Sequence, residues 1–378
     1  MPEFVRLPPS AAPAEYERQA EAALEGWRNG DKEAIELVAN SHPHFFDEKI
    51  PWLRREMTED EVSRFPLDMD AARLAIARWY QFGGWPELME WAAAASDPRS
   101  DVAKFEQAVE AVVDGDAATL RRLLAENPGL VRARSTRITP HDPPVHASTL
   151  LHYLGANGVE GYRQRTPANA VEIAKILLDA GADVNSTASL YGDQCDTMTL
   201  LVSSCHPAQA GMQIPLAETL LDYGARNEGA LETAIAFGYL GTARALLRRG
   251  APVRNLPTAA ALGQRDEVTR RLPTASAEDR HRATSVAAQH GQTEIVEMLL
   301  DAGEDPNRFN LKGNHAHSTP LHQAACAGHL DTVRLLIARG ADPRIRDTIY
   351  HGDALGWAEH CGRPEIAAYL RSLPIASQ

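Results

Sequence analysis

The chain has 378 residues, with 51 Asp plus Glu against 38 Lys plus Arg, and so a formal net charge of −13. A hydrophobic content of 44% excludes wholesale disorder, and no window approaches the ~18 unbroken apolar residues of a transmembrane helix. The acidic balance argues against sequence-independent nucleic-acid binding, which needs a concentrated basic face; the doublets Arg248-Arg249 and Arg270-Arg271 read as solvated helix faces.

In chain order, Met1 to Pro13 lacks the apolar stretch of a secretory signal. Residues 14–42 read as two short helices around Asn29-Gly30-Asp31. A helix over Asp70 to Phe82 follows, then Gly83-Gly84 and a second helix opened by Trp85-Pro86. Five of the six tryptophans lie before residue 100, and twelve of the fourteen histidines lie after it. The breaker-rich segment Ala95 to Asp101 is the candidate boundary. The pattern predicts a helical, aromatic-rich N-terminal cap over 1–100 and a second region over 101–378. The tryptophans read as a small aromatic core or a cap on the end of that region, with a partner-binding patch as the alternative.

The second region repeats itself. Thr319-Pro320-Leu321-His322 supplies an N-cap and a proline at the first helical position. Val333, Leu336 and Ile337 share one face of the next helix, which Gly340-Ala341-Asp342 ends. The unit recurs at Ala287–Gly303, Leu150–Asn185, Thr199–Ala225, Leu231–Ala251 and Ala354–Leu370, with a degenerate first copy over Phe105–Pro128. These residues resemble the ankyrin repeat family, through its T-P-L-H-x-A-A-x-x-G-H start and L-L-x-x-G-A-D end. The resemblance implies an all-α solenoid of about seven ankyrin units with β-hairpin fingers. The helices around Trp79 and Trp85 are similar to the segment ahead of the repeats in many bacterial ankyrin-repeat proteins.

Gly181, Gly224, Gly250, Gly303 and Gly340 close the second helices. The wide gap between Gly250 and Gly303 predicts an extra short unit over Ala259–Leu272. Long fingers are expected at 134–148, 185–198, 306–318 and 344–353, and long insertions between helices at 158–169 and 207–215. Short central units between long-fingered ones predict a notch in the middle of the array.

His141, His146, His206, His315, His317 and His351 fall in or beside the long loops. His315-x-His317 on a strand would present both rings to one face. With Asp142, Asp193, Cys195 and Asp196 such groups could hold a zinc-like ion if three converged, although no compact H-x-x-x-H or H-E-x-x-H spacing exists; exposed loop histidines are the plainer reading. Tyr191 and Tyr350 sit at finger tips, where tyrosine anchors recognition surfaces or simply packs the finger. His152 and His322, by the resemblance, hold neighbouring backbone, and His290 and His329 read as structural. Gly192, Gly313 and Gly352 read as turn glycines.

Cys195, Cys205, Cys326 and Cys361 form no C-x-x-C pair and are expected to be free thiols in a reducing cytoplasm, Cys205 buried. No nucleophile elbow or phosphate-binding loop is present, and no cofactor is implied. The leading expectation is a cytoplasmic module that binds a protein partner along the concave face and fingers. The alternative is a small-molecule enzyme or receptor site in the notch, with or without a metal. Nucleic acid and membrane are not expected partners.

Overall fold

The computed structural model describes residues 4–373. They form two compact units, one ending at Arg226 and one beginning at Asn227.

The N-terminal unit opens with helices Pro13–Arg28 and Lys32–Ala39. Asp31 caps the second, accepting from the Glu33 and Ala34 N–H groups. Helices Met69–Trp79 and Trp85–Ser96 follow. Their apolar stripes close on one core containing Tyr16, Phe45, Ile76, Tyr80, Phe82, Leu88 and Trp91. Trp27, Trp79 and Trp85 pack against it, while Trp52 stands 69% exposed.

Three helix pairs complete this unit. They are Asp101–Asp114 with Ala117–Glu126, Leu150–Leu154 with Ala170–Asp179, and Thr197–Ser203 with Gln213–Asp222. The only ladder among the described residues is the antiparallel hairpin Thr187–Leu190 with Asp193–Asp196. The other long fingers turn without one; their bases are joined by Ser135 N–H to Ser148 O, Asn310 N–H to Ser318 O and Asp347 N–H to Gly352 O, all 2.8–2.9 Å, with further turn bonds inside each.

The C-terminal unit holds five pairs: Ala230–Ala236 with Leu240–Arg248, Leu256–Ala261 with Arg265–Arg271, Ala277–Gln289 with Thr293–Asp301, Pro320–Ala327 with Leu330–Ala338, and Ala354–His360 with Pro364–Ser372. The second of these is the short unit expected between Gly250 and Gly303. Its core runs through the stack. First helices contribute Ala259, Ala260, Ala287, Ala324, Ala325 and Ala358, and second helices contribute Val296, Leu299, Val333, Leu336 and Ile366. Alanine lets the first helices approach closely, and the larger aliphatics fill behind them, so each pair depends on its neighbours for burial.

The closing glycines behave alike in both units. Gly181, Gly224, Gly250, Gly303 and Gly340 all have φ between +86° and +93°, a conformation that a side chain resists.

Two expectations are corrected. Cys326 and Cys361 are not free thiols but form a disulfide, with Cα atoms 5.2 Å apart. They lie at the ends of consecutive first helices, 35 residues apart, so the repeat itself superposes two positions that no local motif connects. Cys205 is exposed rather than buried, because the chain leaves the Thr197–Ser203 helix before it and starts a new short helix, Cys205–Gln209. Among the described residues no helix is long and apolar enough to cross a membrane.

Candidate functional site

The histidines and tyrosines singled out above separate into two groups, each within one unit. His141, His146 and Tyr191 line a cavity of about 330 Å³ in the N-terminal unit. His315, His317 and Tyr350 line a groove of about 1060 Å³ in the C-terminal unit. The long loops wall the cavity, whereas the groove is walled mainly by helix ends and closed on one side by His315, His317, Tyr350 and Gly352 of the fingers. Asp193, His206 and His351 line neither. Asp193 folds back to accept the Gln194 N–H, His206 lies on the helix Cys205–Gln209, and His351 is exposed at a finger tip with φ +56°. His315 and His317 lie on a turn, not a strand, with ring centroids 6.1 Å apart. No three His, Cys, Asp or Glu side chains among the described residues are placed to hold a metal ion.

The groove is built around Trp357. Asp347, 1% exposed, accepts from the Ile349, Tyr350 and Gly352 N–H groups and from Trp357 Nε1 at 2.7–3.0 Å. One carboxylate therefore shapes the finger and aims the indole. Burial works against its charge, but these four donors hold its carboxyl below the usual range. Gly352 fits closely here: a Cβ would lie 3.1 Å from the Trp357 ring, so the indole would have to shift by a few tenths of an ångström.

His317 packs against Tyr350 and Trp357, with centroids 5.8 and 5.6 Å apart. Tyr350 is 59% exposed. His290 Nε2 bonds Ile235 O at 2.8 Å and His329 Nε2 bonds Gln289 O at 3.0 Å, so these two histidines are structural as expected. Burial pushes the pKa of His290, His317 and His329 down, which leaves Arg363 as the groove's permanent positive charge. Arg363 spends one N–H on Cys326 O at 2.8 Å. No carboxylate lines the groove, and the Cys326–Cys361 disulfide forms part of its wall.

The cavity in the N-terminal unit is different. Its lining residue Glu160 belongs to a desolvated ion network that continues behind the wall through Glu106, Arg137 and Arg163, each of the four at most 3% exposed. Arg137 Nε is 3.1 Å from Glu160, and Arg163 Nη2 is 2.6 Å from Glu106. The Arg137 guanidinium also lies over the Phe82 and Trp91 rings at 4.2 and 4.6 Å. His146 accepts the Ser148 N–H through Nδ1 and therefore donates from Nε2 to Glu160 at 3.2 Å. Burial opposes the Glu160 charge, but Arg137 and the His146 hydrogen bond outweigh it and hold the carboxyl well below the usual range.

His152 and His322 sit in matching capping boxes, each with Nδ1 accepting a threonine N–H at 3.1–3.2 Å. Burial lowers His152 to about 4.

Sequence reasoning missed Gln81, Glu160 and Gln164 in the cavity, and Trp357 and Arg363 in the groove. Trp357 carried a signal as the one tryptophan after residue 100. Gln81 carried none, since it lies on the turn between two N-terminal helices.

Comparison with known proteins agrees with the repeat pattern. The family model for ankyrin repeats, in three copies, matches residues 256–347 and 284–375. The chain is 38% identical over 93 residues to the mouse ankyrin repeat and SAM domain-containing protein 6, covering 25% of this chain and 10% of that protein. It is 40% identical over 62 residues to an ankyrin repeat-containing protein of Schizosaccharomyces pombe, covering 16% and 28%. It is 29% identical over 220 residues to the ankyrin repeat and KH domain-containing protein mask-1 of Caenorhabditis elegans, covering 53% and 8%. The chain thus spans a tenth or less of the mouse and nematode proteins and under a third of the yeast one. It carries ankyrin repeats, and its fold class is all-α with the ankyrin helix-pair architecture.

Proposed function

We propose that this ankyrin-repeat chain is a binding module that holds a segment of a protein partner in the groove of its C-terminal unit. Ankyrin repeats are generally protein–protein interaction modules, but fold does not fix function, so the groove has to carry the reading. The supporting observation is that Tyr350 and Trp357 are presented on a scaffold organised by the buried Asp347, beside an arginine with no carboxylate near it in the wall. Exposed aromatics with an arginine are the side chains enriched at binding hot spots. The net charge of −13 disfavours nucleic acid as that partner.

The test is a photo-crosslinking residue at Tyr350, with the captured partner then produced in pure form. Its affinity for the wild type and for Trp357→Ala is compared by calorimetry. Loss of a central aromatic anchor should weaken binding roughly thirtyfold or more, a cost of about 2 kcal/mol. A partner that crosslinks from Tyr350 yet binds Trp357→Ala with unchanged affinity would remove the groove from the reading.

A further inference from the structure

The cavity in the N-terminal unit carries a second inference, independent of the groove. Its loops are held in a costly way. Four non-glycine residues in this unit have left-handed backbone: Gln81 at φ +60°, Ala147 at +54°, Ala156 at +48° and Tyr191 at +58°. Two of them, Gln81 and Tyr191, line the cavity, and Ala147 follows the lining residue His146. Each such residue costs on the order of 1 kcal/mol or more, and they persist only where the surroundings over-determine them. Part of the Tyr191 strain belongs to the hairpin turn it shares with Gly192. Gln81 has no such excuse. It ends a helix in the C′ position, where Phe82 N–H bonds Ala77 O at 2.8 Å and glycine is the usual residue. Its side chain instead reaches across to accept the Gly161 N–H.

The buried ion network points the same way. A desolvated network is weak evidence for stability, because hydrophobic replacement is often neutral or better. What this one does is fix two cavity walls: Arg137 anchors the 139–146 loop, and Glu160 with Arg163 anchors the 158–164 loop. Rigid walls supported from behind are what a binding site requires.

The chemistry of the walls narrows the ligand. Neither lysine nor arginine lines the cavity, and Arg137 and Arg163 are engaged by Glu106, Glu110 and Glu160. Phosphate and carboxylate ligands therefore find no cationic clamp. Unfilled hydrogen-bonding groups of both kinds remain. The Asp142 carboxylate and Gln164 Oε1 are free acceptors, Gln81 Nε2 is a free donor, and the exposed His141 ring has no partner among the described residues. A cation would satisfy the acceptors alone. A neutral molecule with adjacent hydroxyls donates and accepts at each oxygen and meets all of them. Tyr191 adds a flat apolar surface, 72% exposed and fixed by its hydroxyl on Asn157 Oδ1 at 2.6 Å, against which C–H groups can lie. The volume of about 330 Å³ is at the small end of ligand pockets.

We propose that this cavity is a binding site for a small neutral polyhydroxylated ligand of monosaccharide size. Asp142, Gln164 and Gln81 serve its hydroxyls, and Tyr191 its apolar face.

The full chain is titrated by calorimetry and ligand-observed NMR with glucose, galactose, mannose and sorbitol, and with glucose 6-phosphate, glucuronate and glucosamine as charged counterparts. At least one neutral compound should bind, its anionic relatives should bind tenfold or more weakly, and glucosamine should bind no more tightly than the neutral sugar. Tyr191→Ala and Asp142→Asn should each weaken the neutral ligand at least tenfold. Gln81→Gly keeps the fold, because glycine accepts the +60° φ, and should weaken binding with a melting temperature shifted by no more than about 4 °C. Saturation of no neutral compound at tens of millimolar overturns the proposal. So does tighter binding of a charged relative, and so does a folded Gln81→Gly and Tyr191→Ala pair that binds like the wild type.

Discussion

The cavity of the N-terminal unit and the groove of the C-terminal unit are built from the same helix-pair motif but carry opposite chemistry. Carboxylates Asp142 and Glu160 line the first, without lysine or arginine; Arg363 and several histidines line the second, without a carboxylate. Their support differs too. Buried ions hold the cavity walls, whereas the groove stands on an alanine-rich core, one disulfide and the carboxylate of Asp347. The repeat supplies a shared scaffold: inserted loops decide what the cavity can recognise, while the groove draws Trp357, Arg363 and its disulfide from helices and helix ends and only its rim from the fingers. Where loops are short, as around the Leu256–Ala261 pair, the helices close on each other and leave core rather than a site.

If ions hold one region and packing the other, removing one ion should separate them most sharply. Glu160→Gln removes the nearer of the two carboxylates on buried Arg137, at 3.1 Å, and leaves only Glu106 at 3.8 Å; loss of one member of such a buried pair costs about 3–5 kcal/mol. Urea denaturation followed by hydrogen exchange should show that loss in residues 4–226. A deficit spread evenly over both units would mean that the network is not local. The pH dependence has a definite sign. The folded pKa of Glu160 is depressed, so its contribution is present above the unfolded value of about 4.3 and is lost as pH falls toward the folded one. The gap between wild type and Glu160→Gln should therefore narrow below about pH 4. The lowered His152 adds loss of the same sign earlier, as pH falls from about 6.5 toward 4.

Next in size is the Cys326–Cys361 link. It closes a loop of 35 residues, for which about 2–4 kcal/mol is typical. Reduction, or Cys361→Ser with Cys326→Ser, should destabilise the C-terminal unit by that order and leave the N-terminal one unchanged. A melting curve indifferent to reductant in both units would show that the repeat core alone supports the groove.

Much of the repeat architecture was legible because each helix pair writes its own signal: a capped start, an apolar face and a closing glycine. Thr319, Pro320 and Gly340 are read locally and act locally. The half-buried and buried partners were not legible, for one physical reason. Arg137 and Glu106 meet across 31 residues, Cys326 and Cys361 across one repeat, and Gln81 and Gly161 across 80 residues. None is announced by spacing. The cavity and the groove are products of such meetings, so loop histidines could be flagged individually while their division into two sites could not. The cysteines show the cost of a local rule. A search for C-x-x-C finds nothing, although a solenoid brings together residues one period apart.

The smallest effects test whether the left-handed residues at the cavity are there for their side chains. Gly181 and Gln81 share the same backbone region, at φ +93° and +60°. Nothing lies within 4 Å of a Cβ added at Gly181, so Gly181→Ala meets only conformational strain and should cost about 1 kcal/mol. Gln81→Gly relieves strain of that order but removes one acceptor from the Gly161 N–H, worth about 0.5–1.5 kcal/mol. Its net effect should fall within about 1 kcal/mol of zero. Denaturation midpoints of the two variants decide the matter. If Gln81→Gly is destabilised as much as a core truncation, about 2–5 kcal/mol, then Gln81 is a structural strut, and its strained backbone needs no ligand to explain it.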